Sequence, residues 1–292
     1  MLFYRGAVPA GLPADSTIAA LQGEVRYPLR YGYACVGVVA ELGDPFGEET
    51  APWLGRRVFA FEPHADTFIA PLDSLIPVPD AIAGDRASLL PNAETAVTLV
   101  LDGAPLLGER VAIFGGGIVG LLTTCLLARF PLQELVLVDP LEPRRMRALQ
   151  AGATRALAPD ESAELRDFDL VLELSGNPAA LDKAIAATGF SGRVVIGSWY
   201  GDKPATLQLG GAFHRSRIRL LSSQVSTLDP ALTGRWNRER RFGEAWRLLA
   251  DPRLHAVDGL ISHRIPFAHA PDAYALIERQ PVELMQVLLE YD

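Results

Sequence analysis

The chain has 292 residues, 49% of them apolar and 21% charged, proportions that exclude a disordered or fibrous protein. Acidic residues outnumber basic ones 35 to 27 for a formal charge of −8, which argues against nucleic acid or an anionic membrane as partner unless the basic residues cluster. Two cysteines, Cys35 and Cys125, cannot build a disulfide scaffold or a four-cysteine zinc cluster. The longest apolar stretch, residues 118–128, is too short to span a bilayer, and the first residues lack a secretory signal. A soluble, cytoplasmic protein of two domains is expected.

Along the chain, short β-rich runs come first, at 34–40, 57–61, 67–70 and 74–78, separated by Gly and Pro. They predict a small twisted β-barrel or a pair of sheets. From residue 109 the pattern becomes strand, helix, strand. Residues 110–114 form an apolar strand, 118–130 a helix, 135–139 a strand, 143–151 a helix stopped by Gly152, and 153–158 a third strand. A clearer strand follows at 169–174, then a helix at 178–188 with Pro178 at its start and Gly189 past its end. Strands at 193–197 and 217–221 complete the set. Continuous apolar strands alternating with helices predict a doubly wound parallel sheet covered on both faces. An Arg-rich helix near 236–249, with Phe242, Trp246 and Leu249 as its apolar stripe, precedes a closing strand, helix and strand. The expected domains are 1–90, 91–224 for the parallel sheet, and 225–292 returning to the first.

One motif carries more weight than the rest. Gly115, Gly117 and Gly120 match G-x-G-x-x-G directly after a predicted strand and at the start of a predicted helix, and Asp139 ends the next strand. That context reads as a Rossmann dinucleotide-binding fingerprint. Gly115 permits the tight turn, Gly117 admits a pyrophosphate to the backbone, and Gly120 lets helix and strand pack closely. The amides at the helix start, around Ile118 and Val119, then meet the negative pyrophosphate. Asp139 can accept hydrogen bonds from ribose hydroxyls and would repel a 2′-phosphate, favouring NAD over NADP; Arg144 and Arg145 lie close enough to soften that preference. Ser175, Gly176 and Asn177 follow a strand, where they either line the cofactor or form an ordinary turn before a helix. The same two readings hold for residues 198–201, where Trp199 would wall the nicotinamide pocket.

Pro28, Gly32, Tyr33 and Gly37 stand in a segment that resembles P-x-x-x-G-H-E-x-x-G-x-V of the medium-chain dehydrogenase/reductase superfamily. Residues 55–58 are similar to its GDRV strand, 111–120 to its cofactor loop, and 268–278 to its C-terminal helix. The resemblance implies a GroES-like β-barrel catalytic domain, a Rossmann domain, a homodimer, and NAD(P)-dependent interconversion of an alcohol and a carbonyl in a small-molecule substrate. It also implies departures. Tyr33 and Ala34 replace the His and Glu of G-H-E, the third ligand position falls near Leu90 and Pro91, and the first Cys ligand would precede Met1. The chain therefore reads as a zinc-independent, N-terminally shortened member.

Hydride transfer still needs a proton donor or polariser. Tyr33, in the family's zinc corner, is one candidate, with its phenol pKa expected to fall beside an oxidised nicotinamide; a tyrosine at a domain seam is the other reading of it. His64 titrates near neutral pH. Glu94 is a possible base or a helix N-terminal charge, and Thr95 resembles the hydroxyl residue beside the nicotinamide in relatives. The other histidines, His214, His255, His263 and His269, have no ligand spacing. The arginines around Trp236 and Trp246 read as a solvated basic face, or as a site for an anionic substrate. A C=C or quinone reductase using NADPH and a non-catalytic dinucleotide-binding sensor or partner are the alternatives.

Overall fold

The computed structural model describes every residue except 1, 10, 12, 14, 44–46, 252–258, 280–281 and 292. Its centre is a sheet of six parallel strands: β4 (Arg110–Phe114), β5 (Glu134–Val138), β6 (Arg155–Leu157), β7 (Phe168–Glu173), β8 (Thr188–Ile196) and β9 (Arg219–Ser222). Their spatial order is β6-β5-β4-β7-β8-β9. The chain therefore winds outward in one direction from β4 and then in the other from β7, which leaves a crevice between the carboxyl ends of those two strands.

Alternation along β4 shows why helices cover both faces. Val111 and Ile113 are buried in one core with Leu99 and Ala96 of α2 (Leu90–Gly103), Leu121 and Leu122 of α3 (Ile118–Leu127), and Leu248 of α6 (Arg238–Ala250). Ala112 and Phe114 point the other way, into a second core with Leu181, Ala184 and Ile185 of α5 (Pro178–Ala187). The helices α1 (Gly84–Ala87) and α4 (Glu142–Gln150) complete the set before residue 252, and α7 (Ala270–Arg279) follows. The expected boundary at 224 would assign α6 to the return segment, but its apolar stripe packs against α2 in the sheet core.

Outside this body stand an antiparallel sheet of β1 (Cys35–Val38), β2 (Arg57–Ala60) and β3 (Ile76–Pro77), and a parallel pair of β10 (Ile261–Pro266) and β11 (Gln286–Glu290). Among the described residues no ladder joins the two; the runs at 34–78 supply one three-stranded sheet, and the second ladder comes from the C-terminal segment. The predicted strand at 67–70 is loop; Ile69 there is fully exposed and buries no face. No described helix is long and apolar enough to cross a membrane.

Candidate active site

The glycine turn sits where β4 gives way to α3, at the crevice. Gly115 has φ +113°, and a Cβ on it would lie 2.6 Å from the Leu174 carbonyl, so only glycine lets this turn pass the end of β7. At Gly120 a Cβ would come 1.9 Å from the Gly115 oxygen, which fixes how closely α3 approaches the turn. Gly117 is different: its backbone is extended (φ −69°, ψ −177°) and a Cβ there would meet nothing within 4 Å. No side chain caps α3, and its first turn begins at Ile118 and Val119, whose amides have no carbonyl one turn back to receive them. Open space in front of unpaired helix amides is the geometry an anionic diphosphate fills.

Behind the turn lies Asp139, buried, with one backbone amide on each carboxylate oxygen. Its carboxylate accepts from the Gly116 amide at 2.7 Å and the Leu141 amide at 2.8 Å, which locks the glycine turn to the end of β5. Arg144 Nη1 stands 3.8 Å away and Nη2 donates to the Leu284 carbonyl at 3.2 Å. Arg144 Nε and Arg147 Nη1 are buried with no hydrogen-bond partner among the described residues. Arg145 is turned to the Asp139 and Pro140 carbonyls, both at 2.9 Å. These residues fit a dinucleotide: the turn and α3 for the diphosphate, Asp139 for the ribose.

On the other side of the crevice sits a carboxylate that the sequence reading passed over. Glu173 ends β7 with no exposed surface and accepts from the Ser175 amide at 2.8 Å, the Ser175 hydroxyl and the Tyr200 hydroxyl. The Gly176 amide donates to Ser198 Oγ at 2.8 Å. Glu173 thus ties together the loops after β7 and β8. An acid closing an otherwise apolar strand was the available signal, since a carboxylate there must find donors. Burial and the Glu173 contact both push the Tyr200 phenol pKa upward. Ser175, Gly176 and Trp199 lie in these two tethered loops, and Thr95 Oγ1 donates back to the Pro91 carbonyl at 2.8 Å on α2.

Tyr33 and His64 line one cavity of about 1320 Å³ between β1, α7 and β11, with Asn92 of α2 at its wall. His64 packs on Gly32, whose φ of +103° and lack of a side chain make room; a Cβ there would be 2.6 Å from His64 Nε2. Burial lowers the His64 pKa, so it is neutral at physiological pH. The Tyr33 phenol shifts the other way from His64. Burial raises its pKa and the Asp15 carboxylate adds to that, so the protein itself holds it protonated.

Glu94 is not in the cavity wall. It is buried in an ion pair with Arg241 of α6, whose Nη1 also reaches the Val225 carbonyl at 2.7 Å. Burial raises the Glu94 pKa and Arg241 opposes that. The basic face expected on α6 is therefore only partly solvated: Arg241 is spent on Glu94, and Arg238 lies over the Phe61 and Phe242 rings. Cys125 is buried, which lifts its thiol to about 12, and burial raises Cys35 as well.

The described residues do not fit a catalytic zinc. Tyr33 and Ala34 occupy the His and Glu positions of the family motif, and among the described residues no three His, Cys, Asp or Glu side chains group closely enough to hold a metal ion. His255 lies outside the described residues.

No protein-family model matches the chain. It is 31% identical over 141 residues to the L-threonine 3-dehydrogenase of Vibrio parahaemolyticus, a match over 45% of this chain and 41% of that enzyme. With the D-guloside 3-dehydrogenase of Escherichia coli it shares 25% identity over 255 residues, covering 83% of this chain and 72% of the other. A solved short chain alcohol dehydrogenase from Escherichia coli, in complex with the cofactor NADH, superposes with a TM-score of 0.69 over 87% of this chain and 81% of its own, at 19% identity; that likeness speaks for the fold. Strand order, glycine turn and dehydrogenase relatives agree, and the chain is similar to alcohol-type dehydrogenases of the medium-chain dehydrogenase/reductase kind.

Proposed function

We propose that the chain interconverts an alcohol and a carbonyl with NAD as cofactor and without zinc. The observation that carries this reading is the open Gly117 turn at the crevice, with unpaired α3 amides in front and buried Asp139 behind. When bound, the nicotinamide dinucleotide supplies or takes the hydride. Asp139 supports NAD over NADP, because a buried carboxylate at the ribose edge disfavours a second anion. Glu173 holds the loops that carry Ser175, Gly176 and Trp199, so the wall opposite the glycine turn is set before a ligand arrives.

For the substrate oxygen, Tyr33 is the donor. Its phenol is kept protonated by burial and by Asp15, so it can donate a hydrogen bond to a carbonyl and pass the proton as negative charge develops there. His64, neutral and in the same cavity, can accept a proton in the oxidation direction. Glu94 is assigned to structure, because its carboxylate is held by Arg241.

The test is steady-state turnover of an alcohol and carbonyl panel with NAD(H) and NADP(H), before and after dialysis against a chelator. Activity that survives chelation, and that Tyr33→Phe lowers by about 10²- to 10⁴-fold, is the expected result. Activity abolished by chelation and restored by zinc would contradict the metal-free reading; a silent panel would favour a binding protein without catalysis.

A further inference from the structure

The cavity that holds Tyr33 and His64 also holds charge, and the partners of each charged group decide its sign. Arg30, Arg57, Asp85 and Glu290 line it. Both carboxylates face one arginine outside the wall: Arg264 Nη2 donates to Asp85 at 2.6 Å, and Arg264 Nε stands 3.7 Å from Glu290. Asp85 also takes the Arg86 amide at 2.7 Å. The two arginines of the wall have no such counter-charge. Arg57 Nη1 donates only to the Ile82 carbonyl, at 3.3 Å, and Arg30 has no hydrogen bond or ion pair among the described residues. In a chain of formal charge −8, the charge this cavity leaves unmatched is positive.

The uncharged groups of the wall ask for the same kind of ligand. Burial raises the phenol pKa of Tyr31, Tyr33 and Tyr274 and pushes Tyr291 up to about 12, so each presents an O–H donor. Tyr291 Oη is buried with no hydrogen-bond partner among the described residues; the Ala65 amide beside it is itself a donor and cannot take the phenol hydrogen. Asp15, whose charge reaches Tyr33, accepts from the Thr17 amide at 2.7 Å and hydroxyl at 2.6 Å and is not in the wall. A negatively charged, acceptor-rich group meets these donors, whereas an ammonium group finds no carboxylate in the wall that does not already face Arg264. Arg30 is the arginine nearer to Tyr33. Three residues separate them, at most about 10–11 Å between Cα atoms, and Gly32 with φ +103° turns the chain between them. Arg57 pairs with Val38, at the far end of β1.

We propose that the substrate is a hydroxy acid or its oxo acid, whose carboxylate lies on the Arg30 guanidinium while its hydroxyl- or carbonyl-bearing carbon sits beside Tyr33. The inference rests on the hydride-transfer reading above. A guanidinium presents paired N–H groups that match both oxygens of a carboxylate, so Arg30 fixes the end of the substrate that does not react and leaves the other end to the proton donor. In the reductive direction the carbonyl carbon gains a hydride from NADH. Its oxygen gains the Tyr33 proton, which solvent returns to the phenolate, so one oxo acid, one NADH and one proton give one hydroxy acid and one NAD⁺.

The experiment measures NADH oxidation by acetoacetate and levulinate against their methyl esters, which keep the carbonyl and lose the charge. It also compares NAD⁺ reduction by β-hydroxybutyrate with that by L-threonine, which adds an ammonium group, and titrates the protein with levulinate by calorimetry. The expected result is a kcat/KM at least about tenfold higher for one of the acids than for its ester, with β-hydroxybutyrate above threonine. The acid-to-ester ratio should fall toward one in Arg30→Gln, return in part in Arg30→Lys, and shrink as salt rises; Arg30 is exposed, so these variants keep the fold. Esters as good as the acids, or threonine better than β-hydroxybutyrate, would overturn the substrate class and leave hydride transfer standing. An acid preference unchanged in Arg30→Gln would overturn the place given to Arg30. Levulinate binding with no turnover of any compound would overturn hydride transfer and leave the anion site standing. Neither binding nor turnover would overturn both.

Discussion

Gly117 and Gly120 belong to one motif, yet the structure assigns them separable consequences when each becomes alanine. At Gly120 the new Cβ would lie 1.9 Å from the Gly115 oxygen, a backbone atom that cannot step aside without moving α3 off β4. Overpacking of this kind costs roughly 1–3 kcal/mol, or about 2–12 °C of Tm at the usual 2–4 °C per kcal/mol for a chain near this length. At Gly117 the new Cβ meets nothing within 4 Å and the backbone is already extended, so Gly117→Ala leaves the fold intact. The loss of chain entropy in the unfolded state can add about 0.4–1 kcal/mol of stability. What the methyl removes is the open space in front of the α3 amides, so NADH affinity should fall by at least about tenfold, equivalent to about 1.4 kcal/mol. The assay is a thermal melt beside an NADH fluorescence titration on both variants. Gly117→Ala binding NADH like the unmodified protein would refute the placement of the diphosphate at this turn, whatever Gly120→Ala does.

Three further outcomes follow from the same geometry. Glu94→Ala leaves Arg241 buried without its carboxylate and should cost about 3–5 kcal/mol in urea unfolding, whereas Glu94→Leu with Arg241→Met should recover part of it; a loss below about 1 kcal/mol for Glu94→Ala would show that the pair holds nothing together. Tyr200→Phe takes one donor from buried Glu173 and should cost about 1–3 kcal/mol while raising the KM for the cofactor more than it lowers kcat; an unchanged KM would mean that Glu173 does not set the cofactor wall. At Glu109 burial pushes the carboxyl pKa up, but the Arg193 hydrogen bond and the Leu106 amide outweigh it and hold the value down. Its stabilising effect is then complete above the unfolded carboxyl value of about 4.3 and lost as pH falls through the lower native value. Urea midpoints taken from neutral pH downward should therefore drop more steeply below that point for the natural protein than for Glu109→Gln.

The parallel sheet was legible because its strands are buried on both faces and read as uninterrupted apolar runs: residues 110–114 match β4 residue for residue. The glycine turn was legible because strand, spacing and acid agree. Less could be read from the first ninety residues. Their strands are two to four residues long, so periodicity has little to work on, and 67–70 has the composition of a strand without a face to bury. Individual charges were hardest. Glu94 was read by its position at a helix start, but its role comes from Arg241, 147 residues away in sequence; Glu173 was passed over because its partners, Ser175 and Tyr200, are supplied by two loops that only the sheet brings together. At Tyr33 the sequence offers a phenol, but not the burial and the Asp15 carboxylate that raise its pKa.

The most direct test of the central claim is a calorimetric titration of the purified protein with NADH and, separately, with NADPH. The account predicts stoichiometric NADH binding, weaker NADPH binding by about tenfold or more because of Asp139, and a fall of at least about tenfold for both in Gly117→Ala. NADPH binding as tight as NADH would contradict the role given to Asp139, and binding of neither would contradict the dinucleotide site itself.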